Sequence, residues 1–330
     1  MSSDTLILNR SDVASLLGID ECIGAVEHAF KMRAMGEAAA PGILGIHATD
    51  GGFHIKAGIL DLQRPYFVAK INANFPMNPK QHGLPIIQGV IAVSDASNGK
   101  LLALMDSMEI TTLRTGAATG VAAKYLARAD ARTATIIGCG NQGKISLRAL
   151  MKVRRLEKIY VHDIDPSVAH SFVNQLNNEF AISIEAVEQI AQAARESDIC
   201  VTCTPSKKYF LTQEIVMPGT FIAAVGSDNE EKQELDPRLL ANNKVVVDSL
   251  EQAATIGELH HAIDSEIMGR DQVYAELGDI IAGKKKGRVS GDEIIIFDST
   301  GTALQDVAAA AIVYEKGVQS KNIFTLNFQK

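Results

Sequence analysis

With 330 residues, 46% of them hydrophobic and 22% charged, the chain has enough apolar material for one large or two medium folded domains. A net charge of −7 with no long basic run argues against nucleic acid as a partner, and no run of about 18 apolar residues offers a membrane span. Four cysteines do not form a disulfide framework and Met1-Ser2-Ser3-Asp4 does not begin a signal peptide, so a reducing, cytoplasmic setting is expected.

In chain order, residues 20–36 read as an amphipathic helix, with Ile23, Val26 and Phe30 on one stripe. Gly52-Phe53-His54-Ile55-Lys56-Ala57 reads as a strand with His54 and Lys56 on one face. That face is either wet or the wall of an anionic pocket. Residues 67–72 form a second strand, which places Val68, Lys70 and Asn72 together. Lysine is rare on such a face unless it is solvated or paired, so Lys70 is either a surface residue or an anchor for a substrate carboxylate. Runs at 86–94 and 100–105 flank Asn98-Gly99, a hairpin signal. A helix crowded with small residues follows over 109–126, suited to close packing. Its one large cation near the start, Arg114, can clamp a carboxylate with its planar fork, or can pair at the surface with Asp106 or Glu109.

From Arg132 the pattern becomes β-α-β. Strands are expected near 133–138, 158–163, 181–185, 198–203, 220–225, 244–248 and 293–298, a doubly wound sheet. The first of them ends in Gly138-Cys139-Gly140-Asn141-Gln142-Gly143, and a helix opens there. Twenty residues beyond Gly143, at the end of the next strand, stands Asp163. Glycines allow a tight turn and close approach to a pyrophosphate, the helix N-terminus attracts the anion, and an acid at that distance can accept the ribose hydroxyls. Strand, turn, helix, strand and acid together indicate a dinucleotide site.

Cys200 and Cys203 form a CxxC motif, but on a strand residues three apart face opposite sides, which argues against a shared metal. Thr204 ends that strand and is placed to line the cofactor cleft. Asp228 falls just past the run 221–227, where ligands of open α/β sheets bind. It is a candidate proton acceptor or iminium stabiliser, or else a helix cap. Ser299 and Thr300 lie where the last strand meets the last helix, facing either the nicotinamide end or serving as a cap. The adjacent His260 and His261 are a poor metal pair and read as structural. After an Ala-rich helix over 302–316, residues 322–328 alternate, with Phe324, Leu326 and Phe328 on one face. A terminal strand needs a sheet, and the N-terminal one is available. The expected organisation is a Rossmann-type sheet, 129–302, inserted into a discontinuous α+β domain for substrate and dimerisation, 1–128 with 303–330.

Five segments are similar to one family: Leu113-Arg114-Thr115-Gly116-Ala117-Ala118, Ile137-Gly138-Cys139-Gly140-Asn141-Gln142, Val201-Thr202-Cys203-Thr204-Pro205-Ser206, Lys232-Gln233-Glu234-Leu235-Asp236 and Phe297-Asp298-Ser299-Thr300-Gly301. Through them the chain resembles the ornithine cyclodeaminase, mu-crystallin and archaeal-type alanine dehydrogenase family over nearly its whole length. The resemblance implies a homodimer formed through the discontinuous domain, a catalytic role for Asp228, and carboxylate binding by Lys70 and Arg114. It implies cofactor contacts at Asn141, Gln142, Asp163, Thr204, Val225, Lys232 and Ser299, with NAD favoured over NADP because of Asp163. Departures from the family pattern fall at Ile43, where relatives carry Arg or Lys, and at His54, where a cyclodeaminase carries Glu and an alanine dehydrogenase Arg. Ile86 stands in place of a frequent Thr. Lys56 replaces an apolar residue and is available to take over the missing cation's role. His54 cannot serve the distal ammonium of a diamine as an acid would. Hydride transfer at the α-carbon of a small amino or imino acid therefore ranks ahead of ornithine cyclodeamination to proline and ammonia. A mu-crystallin-like binding protein is the third reading, against which stand Lys70, Arg114 and Asp228, since packing needs none of them.

Overall fold

The computed structural model describes residues 4–328; Met1–Ser3 and Gln329–Lys330 lie outside the described residues. Two compact units are present, one built from the residues up to Arg114 and from Thr302 onward, the other from Thr115–Gly301. The division falls at Arg114, inside the helix Ser107–Leu126. The sequence suggested a division at 128/129, where the helix stops, but a continuous helix gives no local sign of where one unit's packing ends.

In the first unit, strands β1 (Thr5–Leu8), β2 (Gly42–Ala48), β3 (Gly51–Asp61), β4 (Pro65–Asn74), β5 (Ile87–Asp95) and β6 (Leu101–Asp106) join a terminal strand, Phe324–Leu326. The seven-stranded order is terminal strand–β1–β6–β5–β4–β3–β2. All described neighbours are antiparallel except β1 and β6, which run parallel. The terminal strand joins the N-terminal sheet as expected, pairing Leu326 with Thr5. The Asn98-Gly99 hairpin also forms, with Gly99 at φ +77°, a region glycine enters without steric cost. Helices Ile19–Met35 and Ala303–Gln319 pack against each other, and the second also covers β3 and β4. A Cβ at Gly58 on β3 would meet the Leu304 side chain at 3.0 Å, so the strand and the helix lie in close contact. Strand β4 alternates as read: Tyr66, Val68 and Lys70 are buried, while Phe67 and Ala69 are half-buried.

The second unit holds strands β7 (Thr133–Ile137), β8 (Lys158–His162), β9 (Ser183–Ala186), β10 (Ile199–Thr202), β11 (Lys207–Leu211), β12 (Phe221–Ala224), β13 (Gln233–Leu235), β14 (Lys244–Val247), β15 (Ala275–Glu276) and β16 (Ile295–Asp298). Eight form one sheet in the order β15–β14–β16–β12–β10–β7–β8–β9, every described pair parallel. Their fully buried Val, Ile and Ala runs suit a sheet covered on both faces. The chain winds outward both ways from β7, so the topological switch point lies between β7 and β10. Strands β11 and β13 form a separate parallel pair. Neither they nor the two-residue β15 were legible in the sequence: two are too short to show a period, and β11 carries exposed lysines. The small residues of the Ser107–Leu126 helix serve close packing, for a Cβ at Gly116 would lie 2.9 Å from the Ile145 carbonyl oxygen.

Candidate active site

In the first unit, Lys70 sits mid-strand on β4, directly opposite Lys56 on β3, and His54 stands opposite Asn72. Cross-strand partners share a face, so two cations share one part of the sheet. Lys70 is 3% exposed, and its Nζ lies 2.8 Å from the carboxylate of Asp306. Arg114 is also buried, its Nε 3.2 Å from Asp306 Oδ1 and its Nη1 donating to Gln305 Oε1 at 3.0 Å. The surface pairing considered for Arg114 is thereby corrected: Asp106 pairs with Arg10 instead, and Arg114 turns inward to the start of the Ala303–Gln319 helix. Burial drives the Lys70 ammonium down to about 7, with Arg114 and Lys56 adding to the effect and Asp306 opposing it. Burial alone would raise the Asp306 carboxyl, but Lys70 and Arg114 hold it below its ordinary range. Gln305 and Asp306 were missed in the sequence. The signal was there: an acid in the first turn of an Ala-rich helix that reads as buried on every side must have a partner.

In the second unit, the glycine turn sits at the switch point. Gly138 has φ +102°, and a Cβ there would meet the Cys203 carbonyl oxygen at 2.7 Å. A Cβ at Gly143 would lie 2.1 Å from the Gly138 carbonyl oxygen, whereas one at Gly140 would meet nothing within 4 Å. The turn is therefore closed against its own strand ends and open on the side of Gly140, which caps the helix Asn141–Val153. Asn141 is exposed and Gln142 half-buried at the start of that helix. Asp163 accepts the Cys139 backbone N–H at 2.9 Å and that of Asp165 at 3.1 Å. A carboxylate has about four acceptor positions, so capacity for ribose hydroxyls remains. These residues fit a dinucleotide: backbone donors at a helix N-terminus, room for a pyrophosphate, and an acid for the ribose.

Around the carboxyl ends of β10, β12 and β16 lie the other expected residues. Thr204 donates its backbone N–H and its hydroxyl to Glu234 Oε1, at 2.6 and 2.7 Å. Val225 is buried, and Asp228 is exposed and joined to Lys232 Nζ at 2.6 Å. Ser299 is buried, with its backbone N–H on the Ala224 carbonyl. The Thr300 hydroxyl donates to Asp248 at 2.9 Å. Cys139 and Cys200 are buried and Cys203 is half-buried, desolvation pushes all three thiols up, and all four cysteines are free. No group of three or more His, Cys, Asp and Glu among the described residues is arranged to hold a metal. His261 donates its Nε2–H to the Lys232 carbonyl at 2.7 Å, and His260 faces Asp264.

A relay of buried acids, also missed in the sequence, supports these loops. Glu234 takes the Gly226 N–H at 3.1 Å as well as Thr204; Glu258 takes the N–H groups of Glu234 and Leu235 at 2.8 and 3.0 Å; Asp298 takes that of Leu259 at 2.9 Å. Burial raises all three carboxyls, Asp298 to about 7.

Comparison with known proteins agrees with this architecture. The alanine dehydrogenase of Archaeoglobus fulgidus is 40% identical, over 97% of each chain. A solved structure of an archaeal alanine dehydrogenase dimer with bound NAD superposes with a TM-score of 0.94 at 39% identity, covering 98% of this chain and 99% of that one. The Delta(1)-pyrroline-2-carboxylate reductase of Thermococcus litoralis, in complex with NADH and L-proline, gives 0.92 at 33% identity, covering 98% and 100%. These likenesses bear out the expected α/β fold, nicotinamide cofactor and class of enzyme. Residues 3–321 match the model of the ornithine cyclodeaminase/mu-crystallin family. The chain belongs to that family, as its motifs led us to expect.

Proposed function

We propose that this protein is an NAD-dependent enzyme that transfers hydride at the α-carbon of a small amino or imino acid, in the manner of an alanine dehydrogenase or a ketimine reductase. The observation that carries the reading is the pair of buried cations, Lys70 and Arg114, fixed on one acid in a chain that also holds a complete dinucleotide turn. Two positive groups held at 2.8 and 3.2 Å from one carboxylate are built for carboxylate recognition. The five N–H donors of a guanidinium let Arg114 serve an internal partner and a ligand together. Lys56 adds positive charge to the same face. Fixing the carboxylate fixes the α-carbon, which is where positioning gains rate. NAD, when bound, accepts or returns the hydride. Asp228, paired with Lys232, stabilises the positive iminium carbon–nitrogen unit and exchanges protons at its nitrogen. Relatives named for alanine and for pyrroline-2-carboxylate support a small, neutral side chain.

The first unit's outermost strands support a homodimer. Every residue of β2 is exposed, among them Ile43, Leu44 and Ile46, and Phe324 and Leu326 are exposed on the opposite edge. Apolar edges of this kind call for a partner. Four free thiols, three of them buried, suit a reducing cytoplasm, and among the described residues no helix is long and apolar enough to cross a membrane.

The test is a panel of amino acids with NAD, and of pyruvate with ammonia and cyclic imines with NADH, followed by nicotinamide absorbance. Turnover of L-alanine or a cyclic imino acid is expected, and Asp228→Asn should lower kcat by about a hundredfold or more while still binding NADH. Ammonia and proline from ornithine without net NADH would select the cyclodeaminase. Silence in every assay would refute the reading.

A further inference from the structure

We propose that Asp306 is the positioning residue of the carboxylate-binding cluster, locking Lys70 and Arg114 into one unit and keeping Lys70 protonated for its ligand. This inference rests on the reading of Lys70 as a carboxylate anchor. The two cations come from distant elements, β4 and the Ser107–Leu126 helix, and like charges brought together in a dry interior repel. A shared anion removes that cost. Asp306 is 1% exposed, and Lys70 Nζ lies 2.8 Å from each of its oxygens, while Arg114 Nε approaches Oδ1 at 3.2 Å. Its neighbour Gln305, wholly buried, holds the other end of the guanidinium through Nη1 at 3.0 Å. Together the pair sets both the place and the plane of Arg114. Both stand in the first turn of the Ala303–Gln319 helix, whose N-terminal dipole favours the carboxylate.

The charged groups facing Lys70 are Asp306 from that helix, Arg114 from the Ser107–Leu126 helix and Lys56 from β3, with the Thr111 hydroxyl at 3.5 Å. Of these only Asp306 favours the ammonium over the amine. Losing its charge therefore makes Lys70 give up its proton at lower pH. Packing alone would predict no such shift.

The experiment uses the full chain as wild type, Asp306→Asn, Asp306→Glu and Lys70→Met. The side-chain resonance of Lys70 in lysine-labelled protein, assigned by its loss in Lys70→Met, is followed against pH. In Asp306→Asn it should titrate lower by about one unit or more, and Asp306→Glu should restore it in part. In parallel, the KM for the amino or imino acid should rise about tenfold or more in Asp306→Asn, with NADH binding unchanged, and the alkaline limb of kcat/KM should move to lower pH. Should Asp306→Asn not fold, Asp306→Glu and wild type carry the comparison: the added methylene moves the carboxylate from its place against both cations, so a KM for the amino or imino acid that is unchanged in Asp306→Glu overturns the proposal. An unshifted Lys70 in folded Asp306→Asn overturns it likewise. A shifted Lys70 in a chain with no turnover on any substrate upholds the role of Asp306 and removes the proposed reaction instead.

Discussion

A lysine buried in a strand needs a counter-ion, and for Lys70 that counter-ion lies 236 residues along the chain. Residue type and strand period were enough to single out Lys70. They could not show Asp306, because only the packing of the last helix on the sheet brings the two together. Asp163 shows the converse. Its place after β8 was legible from spacing, yet its bond to the Cys139 N–H adds a second task, steadying the glycine turn. Replacing Asp163 with Ser should therefore have two effects. NADH binding should weaken, because the turn loses a tie, and the preference for NADH over NADPH should narrow by about tenfold or more, because the repulsion of a 2′-phosphate is gone. Fluorescence titration of both dinucleotides measures it, and an unchanged ratio would mean that Asp163 does not face the ribose.

Among elements, the relay Asp298–Glu258–Glu234 has the clearest energetic consequence. Each acid ties backbone N–H groups of the next element, ending at the loops that carry Thr204 and Gly226. Burial raises Asp298 from 3.8 to about 7. Between those values the native state keeps a proton that the unfolded chain has released, so native protein binds more protons and stability must fall as pH rises. The contribution is full below about pH 4 and lost as pH passes about 7. Asp298→Asn cannot titrate. In urea unfolding across this range, the stability of wild type relative to the variant should decline with rising pH, and parallel curves would contradict the assignment. Seven strands of this unit's eight-stranded sheet were readable, as short runs set between glycines, caps or polar loops. The relay was not, because Glu234, Glu258 and Asp298 look like ordinary surface acids until the fold encloses them.

For the molecule as a whole, the exposed apolar residues on both edges of the seven-stranded sheet set the expectation of a dimer. Ile46 is 50% exposed and Leu44 53%, on a strand none of whose residues is buried. Ile46→Asp should convert the protein to monomer, or weaken the dimer by about a hundredfold, as the loss of a central apolar contact does. Sedimentation velocity across a concentration series reads this directly. A wild type that stays monomeric at high concentration would rule the interface out.

The amino-acid order by itself determined the dinucleotide turn, the inserted parallel sheet, the return of the C-terminal strand to the N-terminal sheet, and the family. Each of these depends on local spacing: glycines that must turn, alternation that must find a face, an acid a fixed distance from a helix start. Only the tertiary structure decided the partners of the charged residues. It turned Arg114 inward to Asp306 and Gln305, set Lys56 against Lys70, and enclosed the acid relay behind the loops that carry Thr204 and Gly226. Charge pairing in a dry interior is fixed by which elements meet, and no local pattern in the chain records that.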